Sequence, residues 1–179
     1  ATIQVSIFVN GVQQTHTERE HLQEASIAAT ENLLATHAQI TVGAGEAVEI
    51  RWLTTAGTAS ARKRTLNLFP VASADVSQAT ATADDTLNSS TYTLLTGMTL
   101  TPGAGDYLAL FSTSADGVSG AELAFSVFVN GVQVAHTERT NDQEGSIPTT
   151  EFVTFIAANC SPTAGQAVEI RWKNGGTAG

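Results

Sequence analysis

The sequence predicts an all-β protein made of antiparallel β-sandwiches or jelly rolls, and three observations support this fold class. Apolar and polar residues alternate along many segments, as they do in strands that bury one face. Two Asn-Gly pairs lie between β-rich runs, and such pairs are a strong signal for a hairpin turn. Turn residues recur at a spacing of about 8–12 residues, which is typical of sandwiches.

An internal repeat with an offset of 120 positions organises the chain. From position 8 to position 52, 25 of 45 residues are identical to those found 120 positions later. The 179 residues therefore hold about one and a half tandem copies of a unit of about 120 residues. The longest identical stretches are 8–13 with 128–133, 16–19 with 136–139, and 47–52 with 167–172.

The repeat divides the chain into two unequal parts. We predict that residues 1–73 are the C-terminal half of one unit, and that residues 74–179 are a second unit that lacks its last strand. Segment 64–71 has no second copy, and segment 74–120 has no first copy. A complete unit is expected to contain about eight short strands.

Each Asn-Gly pair predicts a two-residue hairpin turn. In the first copy, Val9 should lie opposite Val12 across Asn10-Gly11. In the second copy, Val129 should lie opposite Val132.

The remaining strands are predicted from alternation. In the segment from Val48 to Trp52, apolar residues share one face while Glu49 and Arg51 share the other. The composition of residues 27–37 also fits a short helix, but their repeat partners favour a strand. We predict strands over 27–37, 48–52, 64–71, 91–101, 106–113, 147–157 and 168–172, with residues 71–85 as the connection between units.

Three stretches of the second part resemble the C1q/TNF-like jelly-roll family. They are the hairpin from Leu100 to Ser112, the strand from Phe125 that ends in Asn130-Gly131-Val132, and the segment from Ala164 to Ile170. The resemblance implies a jelly-roll unit of a kind found as trimeric heads on bacterial spores, phage fibres and capsid decorations. The family's closing strand is absent from the second part, and no ligand site is carried over.

Composition and charge exclude several classes of function. The net charge is −9 with only eight basic residues, so we expect neither nucleic-acid binding nor binding to anionic membranes. The single cysteine, Cys160, allows no intrachain disulfide and is expected to be a buried apolar residue. No phosphate loop, dinucleotide fingerprint or zinc motif occurs in the sequence, so we predict no cofactor and no enzyme.

A few residues allow a functional role as an alternative to a purely structural one. His16 and Glu18 are predicted to share one strand face, as are His136 and Glu138. A repeated metal or proton site is one interpretation, but a zinc site needs three or four ligands, so we favour a partly buried histidine held by the neighbouring carboxylate. Trp52 and Trp172 are predicted to belong to the core, with a glycan-binding role as the alternative. The carboxylates of Asp84, Asp85, Asp142 and Glu144 are expected to lie in solvated loops.

The unmatched ends lead to the functional expectation. An empty strand position would leave backbone groups unpaired and an apolar groove open. Segment 64–71 can fold back within the chain or exchange with a neighbouring subunit, or longer tandem sequence can complete both parts. The candidate exchanged strand contains Arg64, Leu66, Leu68, Phe69 and Val71.

From these patterns we expect a structural or assembly protein rather than a catalyst. We expect it to belong to a virion, where it would form a fibre or a capsid decoration, or to a filament outside the cell or on the cell surface. Expected partners are further copies of the chain, arranged head to tail or as a trimer, and other virion or surface proteins. The alternative is a carbohydrate-binding or adhesion module.

Overall fold

A computed structural model describes residues 2–22, 34–57, 59–60, 64–70, 76–117, 120–142 and 151–177. In these residues the regular structure consists of antiparallel strands and one short 3-10 turn, Thr15–Thr17. The all-β, antiparallel fold class is therefore confirmed. The strands are β1 Thr2–Val9, β2 Val12–Gln13, β3 Arg19–Leu22, β4 Val48–Thr54, β5 Thr93–Leu100, β6 Tyr107–Ala115, β7 Ala121–Val129, β8 Val132–Gln133, β9 Arg139–Asp142, β10 Phe152–Cys160 and β11 Val168–Thr177.

The second part of the chain contains two sheets that face each other. One sheet has the order β5-β11-β7, with β8 and β9 along the other edge of β7. The facing sheet consists of β6 and β10. Apolar side chains from both sheets form one core, which is the expected arrangement of a β-sandwich. The core contains Phe111, Leu123, Phe125, Val127, Ile156, Ala158, Ile170 and Trp172.

The first part of the chain forms a sheet with the same pairing as part of the second. Strand β1 pairs with β4 along one edge and with β2 and β3 along the other. In the second part, β7 pairs in the same way with β11, β8 and β9. The sequence repeat is thus matched by a structural one at the level of these strands.

Both predicted hairpins are present in the predicted register. Val9 pairs with Val12, and Val129 pairs with Val132. Asn10 and Asn130 have φ values of 47° and 49°, and the glycine that follows each also has a positive φ. This is the backbone conformation of a type I′ turn, which asparagine and glycine adopt most easily.

Two predicted strands are not found where the sequence placed them. Residues 34–37, the described part of the predicted strand 27–37, form no strand, although their repeat partners lie in β10. The first copy has Ala35 and Thr36 where β10 has Phe155 and Ile156, so it offers less apolar surface to bury. Residues 64–70 also form no strand. Residues 27–33, 147–150 and Val71 lie outside the described residues.

A buried threonine hydroxyl fixes the segment after each hairpin. Thr137 is 1% exposed, and its hydroxyl accepts a bond from the backbone N–H of Val127 and donates one to the carbonyl of Val134 at 2.8 Å. The Ser126 hydroxyl lies 2.7 Å from the same oxygen. Thr17 makes the corresponding contacts in the first copy. Because these groups are buried, their hydrogen bonds have no water to replace them.

Among the described residues, no helix is long and apolar enough to cross a bilayer.

We expect Thr137→Val to destabilise the protein by about 1–3 kcal/mol, because it removes the hydroxyl and leaves a buried N–H without its acceptor. Urea unfolding followed by fluorescence measures the loss. The control is Thr140→Val, an exposed position on β9, which should change stability by less than about 0.5 kcal/mol. Equal effects of the two variants would contradict this role of the Thr137 hydroxyl.

Candidate assembly surface

The two tryptophans occupy equivalent positions in the repeat but have different surroundings. Trp172 in β11 is 7% exposed, whereas Trp52 in β4 is 46% exposed. The neighbouring isoleucines differ in the same way, with Ile170 at 9% and Ile50 at 42%. The prediction of a core position is therefore correct for Trp172 and wrong for Trp52.

The difference follows from what covers each strand. Strand β11 lies between β7 and β5, and the Trp172 ring stacks on Phe125 with ring centroids 5.8 Å apart. In the described residues, β4 pairs with β1 alone. Among the residues that the structure describes, the first sheet thus has neither a β5-type neighbour along its edge nor a facing sheet over Trp52. In the second part that cover comes from Leu87, Leu95, Met98 and Phe111 of segment 74–120 and from Ile156 and Ala158 of β10.

The charged pairs on the opposite face of these strands are formed in both copies. Arg51 contacts Glu49 at 2.7 Å, and Arg171 contacts Glu169 at the same distance. Each guanidinium also lies over a phenylalanine ring, Phe8 in the first copy and Phe128 in the second. Each ion pair joins two residues of one strand on the outer face.

The first sheet is attached to the second part through Arg19. Its guanidinium donates to the hydroxyl and the carbonyl oxygen of Ser112 at 3.1 and 3.0 Å. The backbone N–H of Glu20 donates to the Ser114 hydroxyl at 2.7 Å. Burial at this contact lowers the pKa of Arg19. It is also the main cause that lowers the pKa of His37, which touches Ser112.

The outer face of the β6–β10 sheet is only partly covered by this contact. Beyond Ser112, Leu110 and Leu108 on the same face of β6 are 44% and 63% exposed. Phe155, which pairs with Ser112 across the sheet, is 37% exposed. In the described part of the chain β6 pairs with β10 alone, so its other edge has no strand beside it, although the Ser112 carbonyl accepts a hydrogen bond from Arg19.

The candidate exchanged strand is exposed along its described length. Leu66, Leu68 and Phe69 are 50%, 61% and 79% exposed, and Arg64 is exposed as well. Several large apolar side chains are thus held in water in a segment of only a few residues. Such a segment gains free energy by packing elsewhere.

A polar network covers the outer face of the second sandwich. The Tyr92 hydroxyl donates to the Glu138 carboxylate at 2.6 Å, and Lys173 lies 3.6 Å from the same carboxylate. The hydrogen bond from Tyr92 is the main cause that lowers the pKa of Glu138, and Lys173 adds to the effect. Burial and the neighbouring Glu138 raise the pKa of the Tyr92 phenol. The ring of Tyr92 packs edge-on against Phe128.

The histidine–glutamate pairs do not share a strand face, so that prediction is wrong. His16 lies in the 3-10 turn and Glu18 directly follows it. Such a turn has a three-residue period, which removes the alternation of a strand. Within the described ranges, no group of three or more His, Cys, Asp or Glu side chains could hold a metal ion.

The remaining candidates are ordinary structural residues where they are described. Cys160 is 5% exposed, and burial raises the pKa of its thiol, as expected of an inert core cysteine. Asp85 accepts a hydrogen bond from the N–H of Thr96 at 2.8 Å, which is the main cause that lowers the pKa of that carboxyl. Asp84 and Asp142 are exposed, and Glu144 lies outside the described residues.

Comparisons with models of protein families, with characterised proteins and with solved structures found no match to this chain. The functional argument therefore depends on the chain's own geometry.

We expect the two tryptophans to report their different burial in solution. With Trp172→Phe, the remaining Trp52 should emit at longer wavelength and be quenched more steeply by acrylamide than Trp172 in the Trp52→Phe chain. For stability, Trp172→Ala should cost about 3–5 kcal/mol, because it opens a cavity in the core. Trp52→Ala should cost less than half as much. Equal quenching of the two single-tryptophan chains would contradict the difference in cover.

We expect Glu138 to contribute to the acid sensitivity of the fold. A carboxyl with a lowered pKa in the folded state adds stability above its ordinary pKa, and that stability is lost as the pH falls through the lowered value. Thermal unfolding between pH 7 and pH 3 should therefore show a shallower acid decline in Glu138→Gln. Tyr92→Phe keeps the ring and removes the hydroxyl, so it should flatten the decline in the same direction. Unchanged pH profiles in both variants would refute the coupling.

Proposed function

We propose that the chain is a non-enzymatic structural protein that assembles by jelly-roll packing and strand complementation. The observation that carries this proposal is the exposed apolar segment 64–70 together with the unpaired edge of β6. Both features are costly in an isolated subunit, and each can satisfy the other.

The proposed contact is the addition of one strand to a sheet. In segment 64–71 of one subunit, Leu66 and Leu68 alternate with polar residues, so an extended chain would present them on one face. That strand would pair with β6 of the next subunit beside the exposed Leu108 and Leu110. Backbone hydrogen bonds give such an interaction its affinity and side-chain pockets give its specificity.

The proposed contact is a head-to-tail one, and a closed trimer is one of the rings that such contacts form. The donor segment and the acceptor edge are different surfaces, so the interface is heterologous and builds a ring or a filament. This fits a virion fibre, a capsid decoration or an extracellular or cell-surface filament. The jelly-roll assignment and the surface location are supported by the C1q/TNF-like resemblance of residues 100–112, 125–132 and 164–170.

Glycan binding is the second candidate, and the exposed ring of Trp52 is the observation in its favour. Trp172 packs in the core and offers no ring face to a sugar. A glycan array that compares the native chain with Trp52→Ala tests this candidate. Binding that is lost in the variant would support it, whereas an array without any binding would remove it.

The assembly proposal predicts that association depends on the apolar face of segment 64–70. The native chain should form larger species as its concentration rises in sedimentation-velocity experiments. Leu68→Asp should remain monomeric, because the charge would have to be buried against β6. Asn67→Asp adds the same charge to the neighbouring residue on the other face, so it should still assemble. A native chain that stays monomeric, or a Leu68→Asp chain that assembles normally, would disprove the proposal.

A further inference from the structure

The contact between β3 and the second sandwich occupies part of the strand that the assembly proposal needs. Strand β6 has nine residues, Tyr107–Ala115. Arg19 donates to the Ser112 carbonyl, and the backbone N–H of Glu20 donates to the Ser114 hydroxyl. That hydroxyl in turn donates to the Glu20 carbonyl at 3.2 Å. In its docked position β3 therefore lies against the second half of β6 and leaves the strand clear only before Ser112.

An incoming strand of the proposed length cannot avoid this contact. Segment 64–71 has eight residues, so an extended copy of it has two placements within the nine residues of β6. Both placements include Ser112 and Ser114. Pairing of the whole segment therefore requires β3 to leave these two residues. A docked β3 limits the incoming strand to the apolar end of β6, at Leu108 and Leu110.

A histidine completes the hydrogen-bond network at Ser112. The guanidinium Nε of Arg19 donates to the Ser112 hydroxyl at 3.1 Å, and Nδ1 of His37 lies 3.3 Å from the same oxygen. Because the guanidinium can only donate, the hydroxyl proton points to Nδ1, which has to be unprotonated to accept it. A proton on Nδ1 would set two donors against each other beside a permanent positive charge.

The surroundings of His37 favour its neutral form. Burial is the main cause that lowers the pKa of His37, and the charge of Arg19 on β3 lowers it further, against a hydrogen bond to the Leu110 backbone. From β6 and β10 the ring also meets Ser112 and Phe155, which carry no charge. The docked state is thus stabilised above the ordinary pKa of histidine, and this stabilisation is lost as the pH falls through the lowered value.

Two further groups titrate at the same contact. Burial lowers the pKa of His21, against a hydrogen bond to the Glu151 backbone, so this histidine acts in the same sense. Glu151 acts in the opposite sense, because burial and then the carboxylates of Glu20, Asp116 and Asp84 raise its pKa. Its protonation in acid strengthens the docked state, so a test of the histidine needs the Glu151→Gln chain as a companion.

We propose that β3 is an autoinhibitory element, whose contacts at Ser112 and Ser114 block the acceptor edge of β6 until protonation of His37 releases them. Mild acid then frees the whole of β6 for segment 64–71 of the next subunit. Only subunits with a released β3 accept the full strand, so the docked fraction raises the concentration needed for assembly. This inference rests on the head-to-tail contact of the proposed function and adds its regulation.

Hydrogen exchange in the Leu68→Asp chain measures the release without assembly. The Glu20 amide reports the contact directly, because it donates to Ser114. After correction for the intrinsic pH dependence of exchange, its protection should fall several-fold between pH 7.5 and pH 5, and more steeply with Glu151→Gln. With His37→Asn, which keeps a neutral acceptor at either pH, most of this fall should disappear. Equal protection at both pH values, or an undiminished fall with His37→Asn, would overturn the release.

Sedimentation velocity at pH 7.5 measures the inhibition with two matched arginine variants. Arg19→Ala and Arg139→Ala each lose two bonds to backbone carbonyls, but only Arg19→Ala also loses the contact with Ser112. Because a charge-assisted hydrogen bond changes an equilibrium by roughly a factor of ten, Arg19→Ala should assemble at about tenfold lower concentration than Arg139→Ala or the native chain. Ser114→Ala, which leaves Arg19 in place, should shift assembly in the same direction.

The two measurements separate this inference from the assembly proposal. If Arg19→Ala loses the protection of the Glu20 amide but assembles no better than Arg139→Ala, the contact does not inhibit and the inference is wrong. Weaker assembly of Arg19→Ala would make β3 a support of the acceptor, which also overturns it. If no chain assembles at any pH, the head-to-tail contact is rejected and the inhibitory role with it, while the Glu20 amide still decides whether protonation releases β3.

Discussion

The structure depends on one constraint: a β-sheet needs partners for its edge and a cover for its apolar face. The second sandwich meets both needs, because β5 pairs along β11 and the β6–β10 sheet closes over Trp172. The first sheet has the same strands around β1 but, in the part of the chain that the structure describes, meets neither need at β4. The exposed tryptophan and isoleucine side chains and the open edge of the first sheet follow from that difference.

Local interactions within the first sheet stabilise it, and they do not involve a facing sheet. The Asn-Gly turns, the buried hydroxyls of Thr17 and Thr137, and the ion pairs of Arg51 and Arg171 recur in both copies. Each of them joins residues of the same small sheet, so none requires a facing layer. A sheet that is already ordered loses less conformational entropy when a further strand docks on it.

The sequence predicted those features that depend on near neighbours. The hairpin registers were predictable because asparagine and glycine adopt the positive φ values of the turn. The exposure of Trp52 was not, because the segments 47–52 and 167–172 are identical and their surroundings lie elsewhere in the chain. The 3-10 turn at His16 was missed because three residues are too few to disturb an alternating pattern visibly. One sequence feature did point to the exposed face of β4: segment 74–120, which covers β11 in the second part, has no copy in the first part.

The contact through Arg19 shows how one repeated residue acquires a second role. In both copies the arginine donates to the two carbonyls that precede it, those of His16 and Glu18 or of His136 and Glu138. In the first copy it also binds Ser112, which joins the first sheet to one end of the β6 face. The other end, with Leu108 and Leu110, stays open. The intrachain contact therefore leaves the apolar end of β6 as the part of that face able to meet another subunit.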